Sequence, residues 1–114
     1  MQIINVGIDI EEVKRIGRLK EPVLNRVFTA AELSYCRSKK NPGQHLAARF
    51  AAKEAVFKAI DFDELALKKI EVIKNKNNKP EILLHDKRAK NILFKVSLTH
   101  TKNYAAAFVV AYKK

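Results

Sequence analysis

The sequence has no tryptophan, a single cysteine, three glycines and three prolines among 114 residues. With Cys36 alone there is no intrachain disulfide framework and no cysteine cluster for a structural zinc site, which fits a reducing, cytoplasmic setting. Long apolar runs are also missing. The longest, 105–112, is too short to span a bilayer and reads as a strand. The opening Met1-Gln2-Ile3-Ile4-Asn5 lacks the basic segment and extended apolar stretch of a secretory signal, so no membrane association is expected. Nearly half of the residues are apolar and no polar tract is long, so a packed core is expected, and the length suits one domain over 1–114.

Acidic residues are in short supply. Lysine and arginine outnumber aspartate and glutamate by 23 to 12, a formal net charge of +11, which favours polyanionic partners through long-range steering. Nucleic acid, an anionic membrane surface, a phosphorylated coenzyme and an acidic protein would all satisfy that charge. A small basic nucleic-acid-binding protein is the main alternative reading, resting on this charge and the lysine-rich stretch 68–79. It would need aromatics interleaved with cations or a recognition-helix motif, and neither is present. No nucleic-acid partner is therefore expected.

Ile3, Ile4, Val6 and Ile8 predict a short strand ending at Asp9-Ile10, followed directly by a charged amphipathic helix over 11–19. Pro22 and Thr29 open two further helices, 23–27 and 30–37, the second with Thr29 as N-cap and Glu32 at the capping-box position. From Gly43 to about Ile60 proline is absent and alanine dense, which predicts a long central helix. Beyond it, 69–74 and 81–85 predict a hairpin around the polar turn 75–80. Asp86 caps a short helix reaching about Leu93, and strands 94–99 and 104–112 flank Thr101-Lys102-Asn103. The sum is an α+β domain, mainly antiparallel, packed against the central helix.

Three groups of residues can carry chemistry. The central helix has packable faces (Leu46, Phe50, Phe57 and Ile60; Ala48, Ala52, Ala55 and Ala59) yet also bears Arg49, Lys53, Glu54 and Lys58. Either Glu54 and Lys58 make an intrahelical pair while Arg49 and Lys53 snorkel to water, or Glu54 holds a metal while the three cations face phosphates. Asp9, at a strand exit, is either an N-cap or a rigidly fixed carboxylate for a hard cation. In Ser97-Leu98-Thr99-His100-Thr101 the hydroxyls and the imidazole are good phosphate donors, although an edge strand with alternating polar residues has the same pattern. No Gly-x-Ser-x-Gly elbow surrounds Ser97, and His45 and His85 have no partner at metal spacing, so both are read as surface or satisfied histidines.

Together, Gly7-Ile8-Asp9-Ile10, Arg49-Phe50-Ala51-Ala52-Lys53-Glu54-Ala55-Val56-Phe57-Lys58-Ala59 and Ser97-Leu98-Thr99-His100-Thr101-Lys102-Asn103-Tyr104-Ala105 resemble, in order and spacing, the three motifs of the holo-[acyl-carrier-protein] synthase family of phosphopantetheinyl transferases. The resemblance implies that family's fold. It implies transfer of the phosphopantetheine arm of coenzyme A to a serine of apo acyl carrier protein, releasing adenosine 3′,5′-bisphosphate, as in fatty acid biosynthesis. By the same resemblance, Asp9 and Glu54 hold magnesium and Lys58 stabilises leaving-side charge. Arg49, His100 and Thr101 hold coenzyme phosphates, Lys53 borders the metal site, and Glu54 or a metal-bound water takes the serine proton. Lys14, Arg15, Arg18, nearby Lys20 and Arg26 would meet the acidic carrier, and the family's homotrimer would set active sites between subunits. Two departures stand out. Asp61-Phe62-Asp63-Glu64-Leu65 replaces the glycines that usually follow the signature helix, and Asn78 precedes Lys79-Pro80 where glycine is usual.

Overall fold

The computed structural model describes residues 1–114. Strand β1 (Gln2–Glu12) leads into a one-turn helix α1 (Val13–Gly17), followed by α2 (Glu21–Val27), α3 (Ala30–Arg37) and the long α4 (Pro42–Ala59). Strands β2 (Ile70–Lys74) and β3 (Pro80–Leu84) form a hairpin, and β4 (Leu93–His100) and β5 (Tyr104–Lys113) close the chain. All pairings are antiparallel, in two sheets of order β1-β5-β4 and β2-β3. The expected α+β class is thus the observed one.

Local chemistry accounts for most of the boundaries. The capping box of α3 is complete: Thr29 Oγ1 accepts from Glu32 N at 3.1 Å, and Glu32 Oε1 accepts from Thr29 N at 2.8 Å. Asn78 adopts φ 62°, a left-handed conformation that asparagine tolerates, so the hairpin turn closes without glycine. Asp86 caps its turn through Arg88 N, but the helix there shrinks to a 3-10 turn, Lys87–Ala89.

The first strand differs from expectation. It runs two residues further than the apolar run suggests, because Asp9, Ile10, Glu11 and Glu12 lie opposite Ala107, Ala106, Ala105 and Tyr104 of β5. Asp9 is therefore inside a strand, neither an N-cap nor a strand-exit residue, and the helix expected over 11–19 is reduced to α1.

Helix α4 crosses the inner face of the larger sheet. Ala51, Ala52, Ala55, Val56 and Ala59 pack with Ile70 and Val72 of β2 and with Ala107, Val109 and Ala111 of β5. At the other end Leu46, Ala47 and Ala48 pack with Ile16, Leu24, Phe28, Leu33 and Cys36. Small residues let the backbones approach closely. A Cβ on Gly7 would lie 1.8 Å from the Ala55 carbonyl oxygen, so β1 rests on α4 only because residue 7 has no side chain. Period 2 along β1 then turns Asp9 and Glu11 toward the same helix, while Ile8 and Ile10 face outward, both 65% exposed.

No helix of the chain is long and apolar enough to cross a membrane.

Candidate active site

Arg49 and Glu54 lie five residues apart on α4, about 140° around the axis at 3.6 residues per turn. The helix therefore offers its charges to two different neighbourhoods.

On the β1 side, Glu54 is half-buried beside Asp9. The intrahelical Glu54–Lys58 pair that the spacing permits is not the one formed. Lys58 Nζ donates to the Ile8 carbonyl oxygen at 2.9 Å and to Asp9 Oδ1 at 3.2 Å, pinning helix to strand. Asp9 Oδ2 is buried with no hydrogen-bond partner. Burial, and then the negative charge of Asp9, push the Glu54 carboxyl above its usual range, with Lys58 and Arg15 opposing. Two acids facing one another, one with an orphaned buried oxygen, fit a hard divalent cation.

No group of three or more His, Cys, Asp or Glu converges as a closed metal cage.

Glu11 was missed in the sequence because the strand was expected to end before it. It is buried, paired to Arg15 four residues on, and raised to about 7 by burial and then by the neighbouring Asp9 carboxylate. A carboxyl whose folded pKa is raised stabilises the fold most fully below its ordinary pKa, and that contribution disappears as pH rises through the folded value. The metal-free protein is accordingly expected to lose stability relative to Glu11→Gln as pH goes from 4.5 to about 7. Thermal melts of both proteins in chelator across that window test this, and parallel profiles would contradict it. Added magnesium should raise the wild-type melting temperature more at pH 7.5 than at pH 5.

On the opposite side Arg49 and Lys53 are buried, 3% and 0% exposed, and do not snorkel. Lys53 is turned into the core. Its Nζ pairs with Glu32 at 2.8 Å and donates to the carbonyl oxygens of Leu67 (3.1 Å) and Ile70, so all three protons are engaged inside the core.

Arg49 behaves differently. Its guanidinium stacks on Tyr35 at 4.2 Å, its Nε lacks a hydrogen-bond partner, and it lines a cleft of about 930 Å³ where the edges of β3 and β4 diverge. His100, Ser97, Lys74 and Lys95 line the same cleft, as does His45, with its ring 5.8 Å from that of His100. Asp9, Glu54 and Lys58 do not line it. Thr101 stands just past β4, where its hydroxyl accepts from Tyr104 N at 3.1 Å to close the turn. His85, as expected, is satisfied, by Glu71 at 2.9 Å.

Lys14, Arg15, Arg18 and Arg26 are all exposed around α1 and α2, with Arg15 held by Glu11. One small α+β domain thus carries a carboxylate pair on one flank and a cationic cleft on the other, the equipment of an enzyme that handles phosphate esters.

Residues 5–109 match the 4′-phosphopantetheinyl transferase superfamily. The chain is 48% identical over 110 residues to the holo-[acyl-carrier-protein] synthase of Thermodesulfovibrio yellowstonii, covering 92% of this chain and 95% of that protein. It is 41% identical to that of Moorella thermoacetica over 117 residues, 92% of this chain and 91% of that one. Among solved structures, the Bacillus anthracis synthase in complex with CoA (3′,5′-ADP) superposes with a TM-score of 0.86 at 29% identity, over 100% of both chains. The Helicobacter pylori synthase in complex with coenzyme A gives a TM-score of 0.80 at 31% identity, over 93% of this chain and 98% of that one. The chain belongs to the holo-[acyl-carrier-protein] synthase family of the 4′-phosphopantetheinyl transferase superfamily.

Proposed function

We propose that this protein moves the 4′-phosphopantetheine group of coenzyme A onto a serine of apo acyl carrier protein, leaving adenosine 3′,5′-bisphosphate, and that its residues divide that work between the two flanks of α4. The observation carrying this reading is the pairing of Asp9 with Glu54 beneath Lys58, one side of the helix away from the Arg49 cleft.

Asp9 and Glu54 are the residues that would hold magnesium, which when bound supplies charge neutralisation at the diphosphate. Lys58, already anchored to Ile8 and Asp9, offers a fixed cation to the leaving phosphate. Glu54, which Lys58 leaves unpaired by reaching for Asp9, or a water on the metal accepts the serine proton. Arg49 and His100 bind coenzyme phosphates in the cleft, with Thr101 beside them at the strand end.

One chain presents these halves on opposite flanks, so a copy must complete the site. The outer face of β1 supports this: Ile4, Val6, Ile8 and Ile10 are 40–65% exposed, and Phe108 lies across from Ile8 on β5. A contiguous apolar strip of this kind marks an association surface. We assign it to a homotrimer with sites between adjacent subunits, each chain acting as one domain. The buried thiol of Cys36, pushed up to about 11 chiefly by burial, fits a protein of the reducing cytoplasm.

The function is tested by mixing the protein with apo acyl carrier protein, coenzyme A and magnesium and weighing the carrier by mass spectrometry. Gain of one phosphopantetheine arm is expected, and an unchanged carrier mass defeats the reading.

The basic surface of α1 and α2 is assigned to the carrier. Because Arg15 is tied to Glu11 beside the carboxylate pair, its replacement would disturb both functions, and Arg18 gives the cleaner test. Arg18→Glu should raise the KM for the carrier about tenfold while leaving that for coenzyme A unchanged. Equal changes in both constants would remove the assignment.

A further inference from the structure

Three cations face His45 or its neighbour Tyr35, and none of them is in a salt bridge. Lys39 Nζ stands 4.6 Å from the Tyr35 ring centre, Arg49 Cζ 4.2 Å and Lys74 Nζ 5.9 Å. The His45 ring sits edge-on to Tyr35 at 6.0 Å and tilted against His100 at 5.8 Å, so α3, the α3–α4 connection, α4, β2 and β4 all deliver a polar group to one spot. Arg49 is 3% exposed and its buried Nε has no hydrogen-bond partner, an unsatisfied polar group at the wall of the cleft. Such a cluster is repulsive by itself and awaits an anion of high charge density.

We propose that His45 is a specificity-determining residue of this cleft, contacting a phosphate monoester dianion so that a 3′-phosphorylated nucleotide is selected over its dephosphorylated form. This rests on the coenzyme reading given above and adds to it a residue and a proton.

The surroundings set the direction. Burial lowers the affinity of His45 for a proton, and Arg49, His100, Lys39 and Lys74 all act the same way, so the imidazole is uncharged near neutral pH. A dianion placed among those cations reverses their sum, and the proton drawn from solvent turns His45 into a second charged donor beside Arg49. A ligand with a phosphodiester or a hydroxyl there brings too little charge to do this. Lysine in place of His45 would carry a permanent charge and lose the discrimination.

The test is isothermal titration at pH 7 with adenosine 3′,5′-bisphosphate and with adenosine 5′-monophosphate, each in two buffers of different ionisation heat. Wild-type protein should take up close to one proton on binding the bisphosphate, and far less with the monophosphate. His45→Asn should abolish most of that uptake and weaken the bisphosphate roughly tenfold while leaving the monophosphate unchanged, which also shows that the variant is folded. His100→Asn should weaken binding yet keep the uptake. If wild-type protein binds the bisphosphate but His45→Asn matches it in affinity and proton uptake, the proposal is overturned while the coenzyme reading stands. If wild-type protein does not bind the bisphosphate, both fall.

Discussion

Asp9→Asn and Glu54→Gln each lower the rate of phosphopantetheine transfer by roughly a thousandfold or more, with melting temperatures no lower than that of the wild type. Both substitutions keep shape and remove one charge from the pair assigned to the metal. Losing one of only two protein ligands leaves magnesium held mainly by substrate and water, and the diphosphate loses its neutralising partner as negative charge shifts in the transition state. Stability moves the other way. Asp9 raises the pKa of Glu54, so the two carboxylates repel one another, and Asp9 Oδ2 has no hydrogen bond to lose. The ion pair given up with Lys58 involves a side chain that is 53% exposed, where such pairs are worth little. Steady-state turnover measured alongside thermal melts checks both halves. Variants that retain wild-type rates would remove the metal assignment, and variants that unfold would show that the pair is structural.

Lys53→Met is expected to have the opposite profile: a loss of roughly 3–5 kcal/mol in stability with turnover per folded molecule nearly unchanged. Lys53 lies one residue from Glu54, but its ammonium is directed into the core. It joins α4 to Glu32 of α3 and to the carbonyls of Leu67 and Ile70 at the start of β2, and Glu32 Oε2 also accepts from Val72 N at 2.9 Å. Removing the lysine leaves a buried carboxylate without its counter-charge. Burial lowers the proton affinity of Lys53 and Glu32 restores part of it, so neither partner is comfortable alone. A drop of about 10–20 °C in melting temperature should be seen by calorimetry. Loss of turnover at full stability would return Lys53 to the active site.

Lys53 also shows where reading a sequence reaches its limit. The dense alanines and the absence of proline located α4 to within a residue or two, and Thr29 with Glu32 marked the start of α3 correctly, because both signals are local. Which side of α4 each charge faces depends on what packs there. Glu32 is 21 residues before Lys53 and reads as an ordinary capping acid, so its second role was not visible.

The same holds for β1. An apolar run suggested its end at Ile10, but the register with β5 extends it to Glu12 and brings Glu11 beside Asp9. Gly7 was recognised as part of a motif, yet its physical reason, contact with the Ala55 carbonyl, is a tertiary fact. His45 had no partner at metal spacing in the sequence. Its neighbours His100 and Tyr35 come from two other elements, and only the fold assembles them.

The central claim is that the two flanks of α4 are the halves of one transferase site completed between copies of the chain. Co-expressing a tagged Asp9→Asn chain with a differently tagged Arg49→Ala chain, purifying assemblies that carry both tags, and following carrier mass gain tests this directly. Each variant alone should be nearly inactive. The mixed assemblies should recover activity on the order of a quarter to a third of wild type, because some interfaces then join two intact halves. Mixed assemblies as inactive as either parent would contradict the account.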